Sequence, residues 1–578
     1  MLRSTKNPPS GGFFVGEVDS CTRRQLSRDH CAVNSLITSA DAALNRLLLR
    51  RAPDNVVASS IYAVLSMALA LWVGKDLNWD LLNYHYYNGW ALLHDRWDTD
   101  IAPAQLQTWF NPLLDVPLAW SIRHLPPLLV GMLYAAIQSL NVVCIRVLAL
   151  RTLQFSNDTS RDWSAFAIGL ASLTGAIYRA EVGGGMGDTL VSIPLLGGLA
   201  LLARPGTRSV PSLSRWATAG LLAGTAAGLK LTMMIYVLGF GIAALAFDAP
   251  SRSRRLLAML SFFGAAFAGW ALFDGFWRLA LWQSFGNPVF PLMNQIFHSP
   301  FAAPLSFSDT RFLPASGWRA LLYPLIWLFD PNAVSDSGRF IDLRLPLCYA
   351  IGILWLIVAA TRRNPHRFDA STRFVLCGSL LSYLLWLGLF GVYRYLAVLE
   401  LLAPLLLAHL LLSLGGIRRG QRVSVVAFFA VICLAVLPVA QTRGSWRDEN
   451  YFDANTPSAF RDLDHATVLL GGQAPISFLL PELPERWRFV RIASNFQTDT
   501  MTDTALDQRI AETIERSTGA LLGLVSESEL AQFDQELARR HLARYPARPC
   551  DPITTAAMRT RPIPAFTQPL MLCHLVRR

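Results

Sequence analysis

Apolar runs separated by short basic clusters set the plan of this chain. After a polar opening, runs lie at about 56–74, 127–150, 163–179, 189–203, 215–248, 256–273, 345–361, 373–391, 396–414 and 424–440. Most approach the roughly 20 residues that a helix needs to cross a hydrocarbon core. The run at 215–248 is too long for one crossing and has Lys230 near its middle. An ammonium is not left in lipid without a partner or water, so the run is read as two spans meeting at Lys230 near one face. The pattern predicts about eleven spans. Residues 319–329 are apolar but too short to cross, and 103–124 reads either as an interfacial segment or as an entry into the membrane.

Charge gives this pattern a sidedness. Arg50 and Arg51, Arg146 and Arg151, Arg204 and Arg208, Arg252 to Arg255, Arg362 to Arg367 and Arg418 to Arg422 fall on one face of the scheme. By the positive-inside rule that face is cytoplasmic. The amino terminus is then inside and the carboxyl terminus outside. Asp80, Glu181, Asp188, Lys230, Asp309, Arg311 and Arg394 come to the outer face. Such convergence is what a membrane-surface site requires.

Composition agrees with a multi-span membrane protein: 53% of residues are hydrophobic, 16% are charged, and the mean hydropathy is +0.35. The net charge of +11 resides largely in the clusters between spans, which argues against a nucleic-acid partner. Residues 1–55 are a polar, basic arm with no secretory signal, expected in the cytoplasm. The membrane domain is placed at 56–440, with external loops at 75–125 and 274–344. From 441 to 578 the character changes to strand-like runs at 467–470, 488–492, 520–525 and 570–576 with helical patterns at 504–517 and 527–543. A small soluble α/β domain outside the membrane is expected there. The fold class is thus mainly α, a polytopic helical bundle with amphipathic external-loop helices and this carboxyl-terminal domain. The eight cysteines show no metal-ligand spacing, so no metal site is expected, and Cys550 with Cys573 is expected to form a disulfide in an oxidising compartment.

The candidate chemistry lies in the stretch that leaves the first span, residues 75–88, which mixes acids, amides, aromatics and a histidine. On a helix, Asp80, Asn83, Tyr84, Tyr87 and Asn88 share a face. An acid among amides and phenols suits a polyhydroxylated substrate. Asp76, four residues before Asp80, offers a second register for the same role, or an ion pair with Lys75. His85 is read first as a hydrogen-bonding loop residue and is counted with Asp76, Asn83 and Tyr84 among the substrate contacts. Lys230 and Arg394 are candidate phosphate contacts, a guanidinium being able to grip phosphate by two bonds. Snorkelling and interfacial anchoring are their plainer readings. Glu181 and Asp188, flanking Gly183 to Gly187, could position a sugar, bind a metal or pair with Arg179. Those glycines lack the strand, lysine and hydroxyl residue of a phosphate loop.

An inside amino terminus, one span, and then Asp80-Leu81-Leu82-Asn83-Tyr84 at the head of a long external loop resemble the GT-C superfamily of integral-membrane glycosyltransferases, over about 56–440. The tail is similar to external domains that some members carry. The resemblance implies a polyprenyl-phosphate sugar donor, a first-loop aspartate as general base, which falls on Asp80, and no cofactor or required metal. The paired Asp-Glu of several branches is absent here, and Asp76 remains the alternative base. The expected activity is sugar transfer, with inversion, to a cell-envelope glycan or glycolipid at the periplasmic face of a bacterial inner membrane. Two other classes fit the same pattern: a lipid or glycan transporter, whose charges would line a mid-membrane pathway, and a noncatalytic assembly protein.

Overall fold

The computed structural model describes residues 52–155, 158–204, 211–247, 251–335, 340–361, 368–414, 442–496, 503–560, 566 and 568–578. The amino-terminal arm, the run at 424–440 and the basic clusters at Arg50/Arg51, Arg208, Arg362 to Arg367 and Arg418 to Arg422 lie outside the described residues.

The protein is a mainly helical membrane protein with a small α/β region at its carboxyl end. Among the described residues, six helices are long and apolar enough to cross a bilayer: Asn55–Val73, Pro127–Thr152, Arg252–Phe285, Arg344–Thr361, Ala370–Leu389 and Tyr393–Ser413. Asp188–Leu202 and Leu231–Ala246 are shorter apolar helices packed among them. The first span starts where the Asp54 carboxylate accepts the Val57 N–H at 2.9 Å, and it ends at Gly74, whose φ of 97° suits glycine. In the run at 215–248 the helix Leu213–Leu229 stops at Lys230, which is extended, and helix resumes at Met234 after a short 3₁₀ turn.

One expectation changes, and one alternative left open by the sequence is narrowed. The span expected at 256–273 is part of a single helix, Arg252–Phe285, closed by Gly286 in a left-handed conformation. Its 34 residues rise about 51 Å, well past a core of ~30 Å, because no proline or cap interrupts it earlier. Region 103–124 does not cross. It consists of the 3₁₀ turns Gln105–Trp109 and Pro112–Leu114 and the nine-residue helix Val116–His124. The projecting end of the long helix gives this loop something to rest on. Trp277 meets Trp97 edge-on at 4.8 Å and donates from Nε1 to the Trp109 carbonyl at 2.9 Å.

The tail region is built on a sheet in which β3 (Ala466–Leu470) lies parallel to both β4 (Arg488–Arg491) and β5 (Ala520–Ser526). β8 (Leu570–Arg577) runs antiparallel to β5 and also pairs β6 (Leu542–Arg544) and β7 (Asp551–Ile553). Cys550 and Cys573 are joined by a disulfide. The first loop is tied to this sheet: Ile101 donates to the Phe489 carbonyl and accepts from Arg491 N–H at 2.9 and 3.0 Å, extending the β4 edge. At the foot of the loop, β1 (Lys75–Asp76) pairs β2 (Arg443–Gly444), and the buried Lys75 ammonium meets Asp448 at 2.7 Å. Burial pushes that ammonium below its ordinary value, against the pull of the Asp448 carboxylate.

Close helix packing rests on glycine spaced by four. A Cβ on Gly220 would come within 2.1 Å of the Phe262 carbonyl, and one on Gly224 within 1.9 Å of the Ala266 carbonyl. This is the small-residue seam by which membrane helices approach backbone to backbone. Gly224→Leu is therefore expected to part the two helices and cost about 3 kcal/mol or more. The check is the midpoint of heat denaturation in detergent, which should fall by several degrees, whereas Gly264→Leu, facing open space, should leave it unchanged.

Candidate active site

The first-loop stretch is positioned by its own short-range bonds. The Asp76 carboxylate accepts both from Asn78 N–H (3.1 Å) and from its side-chain amide (2.7 and 2.8 Å), and Asn78 Oδ1 accepts the Leu81 N–H at 3.0 Å, capping the following turn. Asp76 also accepts the Gly185 N–H at 3.1 Å, so the glycine reversal wraps around it. With its acceptors spent in this way and 1% exposure, Asp76 is a brace for two loops. Lys75 pairs with Asp448 and not with Asp76.

The turn Leu81–His85 is π-helical, with Tyr86 N–H bonded back to the Leu81 carbonyl. Asp80 stands at its head, 9% exposed. Its Oδ2 lies 2.5 Å from Arg394 Nη1, across 314 residues of chain, and 3.4 Å from the Tyr84 hydroxyl, a long contact. Arg394 enters from the short 3₁₀ turn Tyr393–Leu396 that precedes the helix Ala397–Ser413. Its Nε is 3.9 Å from Asp188 Oδ2, and the same oxygen is 2.8 Å from Lys230 Nζ. Lys230 also donates to the Met186 carbonyl at 2.7 Å. Two acids and two bases thus alternate in one row. The Arg394 side chain is 31% exposed and opens the row to one side, while the Asp188 side chain is 3% exposed.

Burial opposes ionisation of Asp80, but Arg394, His85 and Lys230 together outweigh it and hold the carboxyl below its ordinary value. Glu181 is pushed the other way, by burial first and then by the nearby Asp188 charge. Its Oε2 accepts the Thr189 N–H and hydroxyl, both at 2.8 Å, at the start of the helix Asp188–Leu202, so Glu181 serves that helix end. Arg179 lies over the Trp72 ring at 5.5 Å.

The structure therefore gathers Asp80, Tyr84, Asp188, Lys230 and Arg394, with His85 beside them. Asn83 is turned away: fully buried, it donates to the Ala104 carbonyl and to Gln107 and accepts from Gln105. Asp309 and Arg311 pair with each other at 2.8 Å in exposed positions. Asp115 is the residue that sequence reasoning passed over. It is 3% exposed and sits 2.6 Å from His85 Nδ1. Its only sequence signal is a polar residue just before the apolar turn of Val116–His124, as expected of many helix starts. Among the described residues no group of three or more His, Cys, Asp or Glu is disposed to hold a metal ion.

No family model matches the chain, and no curated protein does. Among solved structures, the chain is similar to ArnT from Cupriavidus metallidurans bound to undecaprenyl phosphate, at 11% identity and a TM-score of 0.44, over 90% of this chain and 97% of that one. It is also similar to the Archaeoglobus fulgidus oligosaccharyltransferase in the apo form, at 12% identity and a TM-score of 0.40, over 84% of this chain and 71% of that one.

The row of charges predicts a definite pH behaviour. Because the folded Asp80 carboxyl lies below an unfolded aspartate (about 3.9), the pair stabilises the fold above about pH 4 and stops doing so as pH falls through the folded value. Arg394→Met strands the carboxylate and should cost about 1–3 kcal/mol at pH 7. The partial exposure of Arg394 reduces the larger loss expected at a fully buried pair. The deficit should shrink as pH is lowered toward 4, and Asp80→Asn in the same background should recover part of it, read as denaturation midpoints in a double-mutant cycle.

Proposed function

We propose that the protein is a membrane glycosyltransferase that moves a sugar from a polyprenyl-phosphate donor to a cell-envelope glycan or glycolipid, at the periplasmic face of a bacterial inner membrane. The observation that carries the reading is the Asp80 carboxylate held against Arg394, with Lys230 beyond Asp188 in the same row and one flank open. An acid for the acceptor hydroxyl and two cations for a phosphate are what such a transfer needs. The first-loop position of Asp80, which resembles the GT-C pattern, supports the same assignment.

In this reading the lipid tail of the donor stays in the bilayer and its phosphate approaches the open flank of Arg394. The phosphate anion competes with Asp80 for the guanidinium, which can bind it with two parallel bonds. Asp80, released from that bond, becomes a better base at the moment the donor arrives. It accepts the proton of the acceptor hydroxyl as that oxygen attacks the anomeric carbon from the side opposite the phosphate, with inversion. Lys230 and Arg394 stabilise the charge that develops on the departing polyprenyl phosphate. Asp188 keeps Lys230 in place, and Tyr84 stands beside the base.

Asp80→Asn preserves the shape of the side chain and removes its basicity, so transfer should fall about a hundredfold or more with the fold intact. The measurement is transfer of radiolabelled sugar from a mixed pool of polyprenyl-phosphate donors to envelope lipid by reconstituted protein. Near-native turnover in this variant would move the base elsewhere. Movement of labelled lipid between leaflets without any new glycosidic bond would replace the transferase with a transporter.

A further inference from the structure

The turn that carries Arg394 is pinned on both sides of that residue. The Val392 carbonyl accepts from Trp386 Nε1 at 2.7 Å, the Tyr393 N–H donates to the Val334 carbonyl at 2.8 Å, and the Tyr395 carbonyl accepts the Tyr236 hydroxyl at 2.6 Å. Tyr236 is 1% exposed and belongs to the helix Met234–Ala243, which begins just past the break at Lys230. With the backbone held in this way, what can still move is the long Arg394 side chain.

Two kinds of contact hold its guanidinium. The central carbon lies over the Tyr395 ring, 5.3 Å from the centroid, and Phe390 meets that ring edge-on at 5.3 Å. A cation over an aromatic face is attracted by the ring's quadrupole. At the edge, Nη1 donates to Asp80, which is the one hydrogen bond of this side chain among the described residues. Nε makes none, its nearest acid being Asp188 Oδ2 at 3.9 Å. A guanidinium carries five N–H donors in its plane, so most of that edge is unspent.

Face and edge differ in what an arriving anion does to them. A phosphate binds through the edge, by two parallel bonds, and so competes with Asp80. It does not compete with the ring, which uses no donor. When Asp80 gives way, the ring is the contact that persists, and beyond it only the 3.9 Å approach of Asp188 remains.

We propose that Tyr395 is the positioning residue of the phosphate site: its ring holds the Arg394 guanidinium in place while the edge passes from Asp80 to the phosphate of the lipid donor. The inference rests on the transferase reading above for the identity of that phosphate. Without the ring, the fork is ordered anew at each encounter, and that ordering is subtracted from binding. The role belongs to the ring and not to the phenol, since the Tyr395 hydroxyl makes no hydrogen bond among the described residues.

The test compares full-length native protein with Tyr395→Leu and Tyr395→Met, which keep apolar bulk without a π face, and with Tyr395→Phe, which keeps the face. Two probes are titrated onto protein in nanodiscs: polyprenyl phosphate, and polyprenol, which has the same tail and no phosphate. Tyr395→Leu and Tyr395→Met should weaken the phosphate lipid about five- to thirtyfold, the range of a partly desolvated cation–π contact. Tyr395→Phe should restore most of that loss, and polyprenol binding should be unchanged throughout. In an Arg394→Gln background the effect of Tyr395→Leu should shrink to less than about twofold, because the ring acts only through the guanidinium. In sugar transfer the same loss should appear in the donor KM, with the acceptor KM unchanged and kcat lowered less than about threefold. A residue that merely supports the fold would weaken both lipids alike, or cost as much without Arg394 as with it, and either result overturns the proposal. Native donor KM in both Tyr395→Leu and Tyr395→Met overturns it while leaving the transferase reading intact. Phosphate binding that depends on Tyr395 in a protein that makes no glycosidic bond overturns the transferase reading and upholds the positioning role. A native protein that holds polyprenyl phosphate no better than polyprenol overturns both.

Discussion

A buried carboxylate requires a counter-charge, and Asp80 finds its own in Arg394, 314 residues away. The pair obliges the loop after the first span and the turn before the helix Ala397–Ser413 to meet. Asp80 alone would be a buried charge with too little compensation, which costs more than the pair contributes. Asp188 and Lys230 extend the same logic, so that the row from Asp80 through Arg394 and Asp188 to Lys230 is internally neutral. Each charge in the row thereby faces one of opposite sign.

What the sequence made visible in this site were residues that violate their surroundings. Lys230 stands out because it interrupts an apolar run, and the chain breaks helix there. Asp80, Tyr84 and His85 stand out as polar and aromatic residues just past a span. The roles of Asp76 and Glu181 were not legible, since each depends on a backbone N–H donated by a residue distant in sequence or across a turn, Gly185 in one case and Thr189 in the other. Asp115 was hidden for a related reason: its partner lies 30 residues earlier and neither residue carries a motif. Hydropathy gave the helix over 256–273 but not its continuation to Phe285, because the last third, with Asp274 and Arg278 paired at 2.7 Å, no longer reads as a span. The π turn left no trace at all, since hydrophobic periodicity reports the ordinary 3.6-residue repeat.

The tail region bears on the site through the first loop. None of that loop's elements is long enough to hold its shape alone: the helix Tyr86–Leu93 has eight residues and Val116–His124 nine, below the length at which isolated helices persist in water. Their order comes from contacts with the tail. Arg96 binds Asp100 at 2.6 Å and donates to the carbonyls of Glu485 and Trp487, and Asp100 accepts the Phe489 N–H at 2.9 Å. Arg491, fully buried, reaches back to the Pro103 carbonyl at 2.9 Å. Burial raises the Asp100 carboxyl despite Arg96 and Tyr87, the signature of a polar joint enclosed by packing.

A site assembled in this way has one half on helix ends and the other in the loop. Lys230, Asp188 and Arg394 come from the ends of helices packed in the bundle. Asp80 and His85 come from a turn whose position is set jointly by Asp76, through the glycine reversal, and by the loop contacts with the β4 edge. The direction of dependence follows: a change in the sheet edge can displace Asp80 relative to Arg394 without touching either residue, whereas a change within the bundle moves the cations and leaves the loop docked. Because the Asp80–Arg394 contact is as short as 2.5 Å, the first kind of displacement is the more damaging to the pair. The tail sheet thereby acts as part of the frame that holds Asp80, although none of its side chains belongs to the charged row.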